Sequence, residues 1–164
     1  MNKLETAKGL LLREAWLLDS QDWKGWLSMY ATDCEYWVPA RRSDETLTQD
    51  PNTELSHIYY ANRAGLEDRV LRIMSGRSAA STPAPRTTHM LCNFHLEEGQ
   101  EDDGIRIWTT WSTQMFNVRQ RKTYTFFGTS LTEFGRQEES WLISRKRIEL
   151  KNDYIPTFID IYCF

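Results

Sequence analysis

Apolar residues recur every three or four positions in the first half of this chain and every second position in the rest. In residues 3–18, Leu4, Ala7, Leu11, Ala15 and Leu18 form one face of a helix. Trp23, Trp26, Leu27 and Tyr30 share a face of a second helix. Asp19 or Ser20 is its predicted N-cap, and Asp22 favours its positive end. The stretch "CEYWVP" reads as a short strand closed by Pro39. Residues 40–53, polar and containing Pro51, predict a loop, and residues 55–61 a strand. In "GLEDRVLRIMSG", Leu66, Val70, Ile73 and Met74 share a third helical face, with Gly76 where a C-terminal glycine belongs. "RSAASTPAPRTT" is an extended loop held open by Pro83 and Pro85.

From His89 onward the spacing is that of strands. Residues 89–96, 105–118, 122–134 and 141–150 are the candidates, separated by the turn sequences "EEGQEDDG", "RQR" and "GRQEES". Short links make these strands antiparallel neighbours. Helices followed by a strand meander predict an α+β fold in one domain, residues 1–164, with no internal repeat.

The strands carry apolar residues on both faces. Along 105–118 one face reads Ile105, Ile107, Thr109, Trp111, Thr113, Met115, and the other reads Arg106, Trp108, Thr110, Ser112, Gln114, Phe116, Val118. In the next strand Tyr124 and Phe126 face one way, Phe127 and Leu131 the other. A sheet with one wet face alternates more cleanly. Either curvature and loops hide the second face, or a partner covers it; we take association as the reading. Four or five aromatics at ~150–250 Å² each supply most of the ~800 Å² that one side of a standard interface buries. The C-terminus poses the same question. Tyr154, Ile155, Phe158, Ile159, Ile161, Tyr162 and Phe164 crowd the last eleven residues, and such a tail docks on its own core or on another chain.

Composition narrows the classes. The chain has 164 residues, 40% hydrophobic and 13% aromatic, enough for a core. A net charge of −3 gives no field for nucleic acid, and "RQRKT" and "SRKR" read as a hairpin turn and the wet side of a strand. No apolar segment approaches the ~18–20 residues of a membrane span, and no signal peptide is visible. Three cysteines, Cys34, Cys92 and Cys163, read as reduced thiols of a cytoplasmic protein.

Candidate chemistry is sparse. His89 and His95, six residues apart on one strand, stand about 20 Å apart and cannot share a metal. His57 could meet either only through folding, and no Cys/His spacing matches a zinc or iron–sulfur pattern. No phosphate loop or nucleophile elbow is present. "EEGQEDDG" lacks the alternating ligands of a calcium loop. One enzymatic constellation stands open. Asp33, in "YATDCEYW", could face a pocket with Tyr30, His89 and His95 and abstract a proton, or it could simply shape a turn.

"YATDCEYWVPA", "DETLTQDPNTELSHIYYANRAGLEDRVLRI", "SAASTPAPRTTH" and "LKNDYIPTFIDIYCF" together resemble the small (β) subunits of bacterial aromatic-ring-hydroxylating dioxygenases. The long second stretch looks most like the benzoate, anthranilate and 2-halobenzoate branch. The likeness runs from about Tyr30 to the end. "ARRSDE" departs from it, with two arginines where benzoate-type relatives would carry a more acidic stretch.

The resemblance implies a cone-shaped, strongly curved antiparallel sheet packed on N-terminal helices, as in nuclear transport factor and its cystatin-like relatives. It implies a structural subunit with no catalytic residue and no cofactor of its own. The Rieske 2Fe-2S cluster and mononuclear Fe(II) would sit in a large (α) subunit, three large with three small, and a reductase with FAD and NADH would supply electrons. It implies that Arg86, His89, Tyr154, Phe158, Ile161 and Tyr162 lie at a subunit boundary. A stand-alone isomerase or dehydratase using an Asp33/His pocket, and a carrier that holds a ligand in the cone, are the alternatives.

Overall fold

The structure is a computed structural model and describes residues 2–77, 81–97 and 104–164. Three helices, α1 (Lys3–Asp19), α2 (Trp23–Leu27) and α3 (Arg63–Met74), pack on one six-stranded sheet. Its strands are β1 (Tyr30–Pro39), β2 (Ser56–Tyr60), β3 (Arg86–Leu96), β4 (Ile105–Asn117), β5 (Lys122–Gln137) and β6 (Ser140–Leu150). The spatial order is β2-β1-β6-β5-β4-β3. All neighbours are antiparallel except β1 and β6, which run parallel. The α+β architecture expected from the pattern is the one observed. The predicted turn "EEGQEDDG" falls largely outside the described residues.

Local chemistry sets most boundaries. Asn2 caps α1 by accepting from Leu4 N–H, and Asn62 caps α3 by accepting from Ala64 N–H. Gly76 follows α3 at φ +67°, the left-handed conformation that ends helices most cheaply with glycine. The second helix differs from expectation. It is five residues long, its cap is Asp22, and Tyr30 belongs to β1. The reason is tertiary: Ile143 N–H donates to Met29 O at 2.8 Å and Tyr30 pairs with Ile143, which draws the chain into the sheet.

The core lies between the helices and the inner face of the sheet. Ile105, Ile107, Thr109, Trp111, Thr113 and Met115 of β4 are all buried there, as the alternation predicts. Trp26, Tyr30 and Tyr36 are fully buried, with ring centroids 4.8–6.4 Å apart. Each such pair adds about 0.5–1.5 kcal/mol beyond area burial. Gly128 of β5 is required by close approach: a Cβ there would lie 1.9 Å from Glu149 O.

The outer face is partly covered by the chain itself. Arg147 lies 5.2 Å above the Trp37 ring, and Trp37 and Leu131 are buried although both face outward. Beside them a row of ion pairs crosses the sheet. Glu97 meets Arg106 at 3.2 Å, Arg106 meets Glu133 at 3.2 Å, and Arg145 joins Glu133 at 4.0 Å to Glu35 at 2.7 Å. Met90 of β3 and Phe127 of β5, which flank Ser112 of β4, stay about half exposed.

Candidate functional site

Two places carry chemistry, and the first is the interior of the cone. Asp19 ends α1, and its carboxylate faces the edge strand β3. Oδ1 accepts from His89 Nδ1 at 2.6 Å and from Thr87 Oγ1 at 2.9 Å, and Oδ2 accepts from His89 N–H at 2.9 Å. Burial pushes the Asp19 carboxyl up, but the side-chain and backbone bonds from His89 and the Thr87 bond outweigh it. The group sits below its ordinary range. One turn earlier on α1, Glu14 is buried and receives both Lys146 of β6 and the Tyr30 hydroxyl. Burial, with the Glu14 charge beside it, drives the Tyr30 phenol well up, so this hydroxyl stays a donor.

The Asp33 pocket does not form. Asp33 lies within β1 rather than in a turn, and it is exposed. His89 takes Asp19 instead. His95, past an irregularity in β3, is opposite Trp108 on the outer face, while His89, opposite Thr113, faces inward. His57 is in β2, the other edge of the sheet. The three histidines therefore never converge. Among the described residues no group of three or more His, Cys, Asp or Glu could hold a metal ion. Asp19 was legible only as a helix-cap candidate, because its partners stand about seventy positions away.

The second place is the end of the sheet where β3 begins, β4 ends and the tail passes. Exposed Arg86 lies 5.9 Å from the Phe116 ring. A groove of about 160 Å³ beside it is lined by Pro83, Met115, Asn117, Arg119 and Phe158, among others. The tail first prolongs β6 by side-chain and backbone bonds: Lys151 N–H donates to Phe127 O, and Asn152 Oδ1 accepts from Phe127 N–H. It then runs irregularly, with Tyr154 76% and Phe158 79% exposed. Asp160 ends the excursion. It pairs through both carboxylate oxygens with Arg69 and caps a 3₁₀ turn, Ile161–Cys163, by accepting from Ile161 N–H.

The last four residues are buried in the chain's own core. Phe164 meets Trp111 edge-on, with centroids 5.7 Å apart. Ile161, Tyr162 and the His89 side chain are buried within the chain itself. Arg86, Tyr154 and Phe158 remain at the surface.

The sequence places this architecture among known proteins. Residues 13–157 match the family described as Ring hydroxylating beta subunit. The chain is 42% identical over 158 residues to toluate 1,2-dioxygenase subunit beta of Pseudomonas putida, covering 96% of each. It is 39% identical over 159 residues to benzoate 1,2-dioxygenase subunit beta of Acinetobacter baylyi, covering 97% of this chain and 92% of that one. The crystal structure of the beta subunit of benzoate 1,2-dioxygenase from Burkholderia mallei superposes with a TM-score of 0.78 at 34% identity, covering 96% of this chain and 95% of that one.

Proposed function

The chain belongs to the ring-hydroxylating beta subunit family, and from that we propose that it is built to hold a terminal oxygenase together rather than to carry its chemistry. It is a small subunit of the benzoate, toluate and anthranilate type of ring-hydroxylating dioxygenase. Its partner is a large oxygenase subunit, and the assembly we propose contains three of each. In this reading the large subunit holds a Rieske 2Fe-2S cluster and a mononuclear Fe(II), and a reductase with FAD passes electrons from NADH. Both atoms of O₂ enter the ring of a benzoate-type acid in the cytoplasm. The described residues offer no donor set that fits either iron centre, so no step of the reaction is assigned to this chain.

One observation carries the reading: a family match through 13–157 together with about 40% identity to named small subunits over nearly the whole chain. The exposed Tyr154 and Phe158 of the tail, and Arg86 on Phe116, supply apolar area and a planar cation. Aromatic residues and arginine are enriched in subunit contacts. Native mass and metal content after tagged purification from the chain's own host test the proposal. A large hetero-oligomer with iron and acid-labile sulfide supports it. A metal-free monomer or dimer would overturn it.

A further inference from the structure

Between α1 and the inner face of the sheet lies a cavity of about 20 Å³, room for one water-sized molecule. Leu11, Leu18, Leu91, Ile148 and Phe164 supply most of its apolar wall. His89, Thr109 and Trp111 also line it. Each carries a buried polar atom with no hydrogen-bond partner among the described residues: His89 Nε2, Thr109 Oγ1 and Trp111 Nε1. The His89 side chain is 2% exposed, Thr109 1% and Trp111 3%. Native interiors satisfy more than nine in ten such groups, and leaving one unpaired costs about 1–3 kcal/mol. Three around one small cavity are a specification for an occupant.

The chemistry of that occupant follows from Asp19. Its carboxylate accepts from His89 Nδ1, so in the neutral ring the proton sits on Nδ1 and Nε2 presents a lone pair. The Asp19 bonds to the ring and to the backbone N–H of the same residue hold the imidazole in this orientation. The occupant must therefore donate to Nε2. The indole N–H of Trp111 can only donate, so the occupant must also accept. The Thr109 hydroxyl can do either. Glu14 and Lys146 line the cavity too, but both carboxylate oxygens of Glu14 already take the ammonium at 2.7 Å. An anion has no proton for Nε2 and would sit beside Glu14. An ammonium ion has no lone pair for Trp111. The space of about 20 Å³ suits an occupant of water's size.

We propose that the cone interior is a binding site for one ordered water, hydrogen-bonded to His89 Nε2 and to at least one of Thr109 and Trp111. The water extends the Asp19–His89 chain from the end of α1, through β3, to the inner face of β4. This inference is independent of the subunit reading.

A high-resolution crystal structure of the full chain tests it, together with a water–protein NOE measurement at the Trp111 indole proton. The expected result is one spherical density peak about 2.7–3.2 Å from His89 Nε2 and a long-lived water signal at the indole. Thr109→Val keeps the shape and removes a partner. It is expected to lower the occupancy of that peak and the Tm. No peak, or extended density of a larger molecule, would overturn the assignment, as would an indole proton that sees no long-lived water. Should Thr109→Val fail to fold, the density and the NOE of the unaltered chain decide.

Discussion

Lys146 Nζ lies 2.7 Å from each oxygen of the Glu14 carboxylate, and the pair ties the middle of α1 to the inner face of β6. Both residues are buried, at 7% and 2% exposure, and Tyr30 donates to the same carboxylate. Breaking a buried pair leaves an uncompensated charge, whereas replacing both members with apolar groups can be neutral. Lys146→Met is therefore expected to cost about 3–5 kcal/mol in urea unfolding. The triple change Glu14→Leu, Lys146→Met and Tyr30→Phe is expected to recover most of that. A triple variant as unstable as the single one would show that the pair itself, not the orphaned charge, carries the stability.

Acid stability is predicted to run through Asp19. Its carboxyl titrates below 3.8 in the folded chain, so the unfolded chain takes up the proton first as pH falls. The contribution is fully present above the unfolded value near 3.8 and is lost as pH drops through the lower folded value. Asp19→Asn is expected to be less stable than the parent at neutral pH, with the difference shrinking as pH falls below about 3.8. Urea midpoints measured across that range give the answer; a constant difference would remove Asp19 as the source.

The three thiols should separate by burial. Cys92 is exposed, while Cys34 and Cys163 are buried. Burial pushes the Cys34 thiol up to about 11, with Asp33 adding to it, and pushes Cys163 up as well. Since the thiolate is the reactive form, a thiol reagent at mildly alkaline pH is expected to titrate one cysteine quickly in the native chain and all three after denaturation. Mass mapping should find the fast label on Cys92. A fast label on Cys163 would mean that the C-terminal turn opens in solution.

Association is predicted to depend on the middle of the tail and not on its end. Tyr154 and Phe158 stand exposed, so Tyr154→Ser with Phe158→Ser should change the stability of the lone chain by no more than about 1 kcal/mol. The same pair of changes is expected to weaken binding to the large subunit at least tenfold, read by analytical ultracentrifugation of the mixed subunits. Deleting residues 155–164 would not make the same test, because it strips Ile161, Tyr162, Cys163 and Phe164 from the core. Unchanged affinity in the double variant would move the contact elsewhere.

Much of this was readable from local pattern alone. A period of two along β4 assigns Ile105 through Met115 to one face whatever the rest of the chain does, because successive side chains must alternate. Gly76 after α3 marks a stop, since the left-handed conformation there costs glycine least. The motifs from Tyr30 to Phe164 carried the family likeness. What tertiary structure alone decided was the use of polar and terminal residues. Asp19 could cap a helix or reach across to β3, and it reached, because His89 and Thr87 present three donors to one carboxylate. The tail could dock on its own core or lie at the surface, and it divides between the two. Arg69 seizes Asp160 and drives the last four residues into the core while Phe158 stays out. Periodicity records which face a residue occupies. It does not record which distant partner a hydrogen-bonding group will find, and that choice is made only when the chain closes on itself.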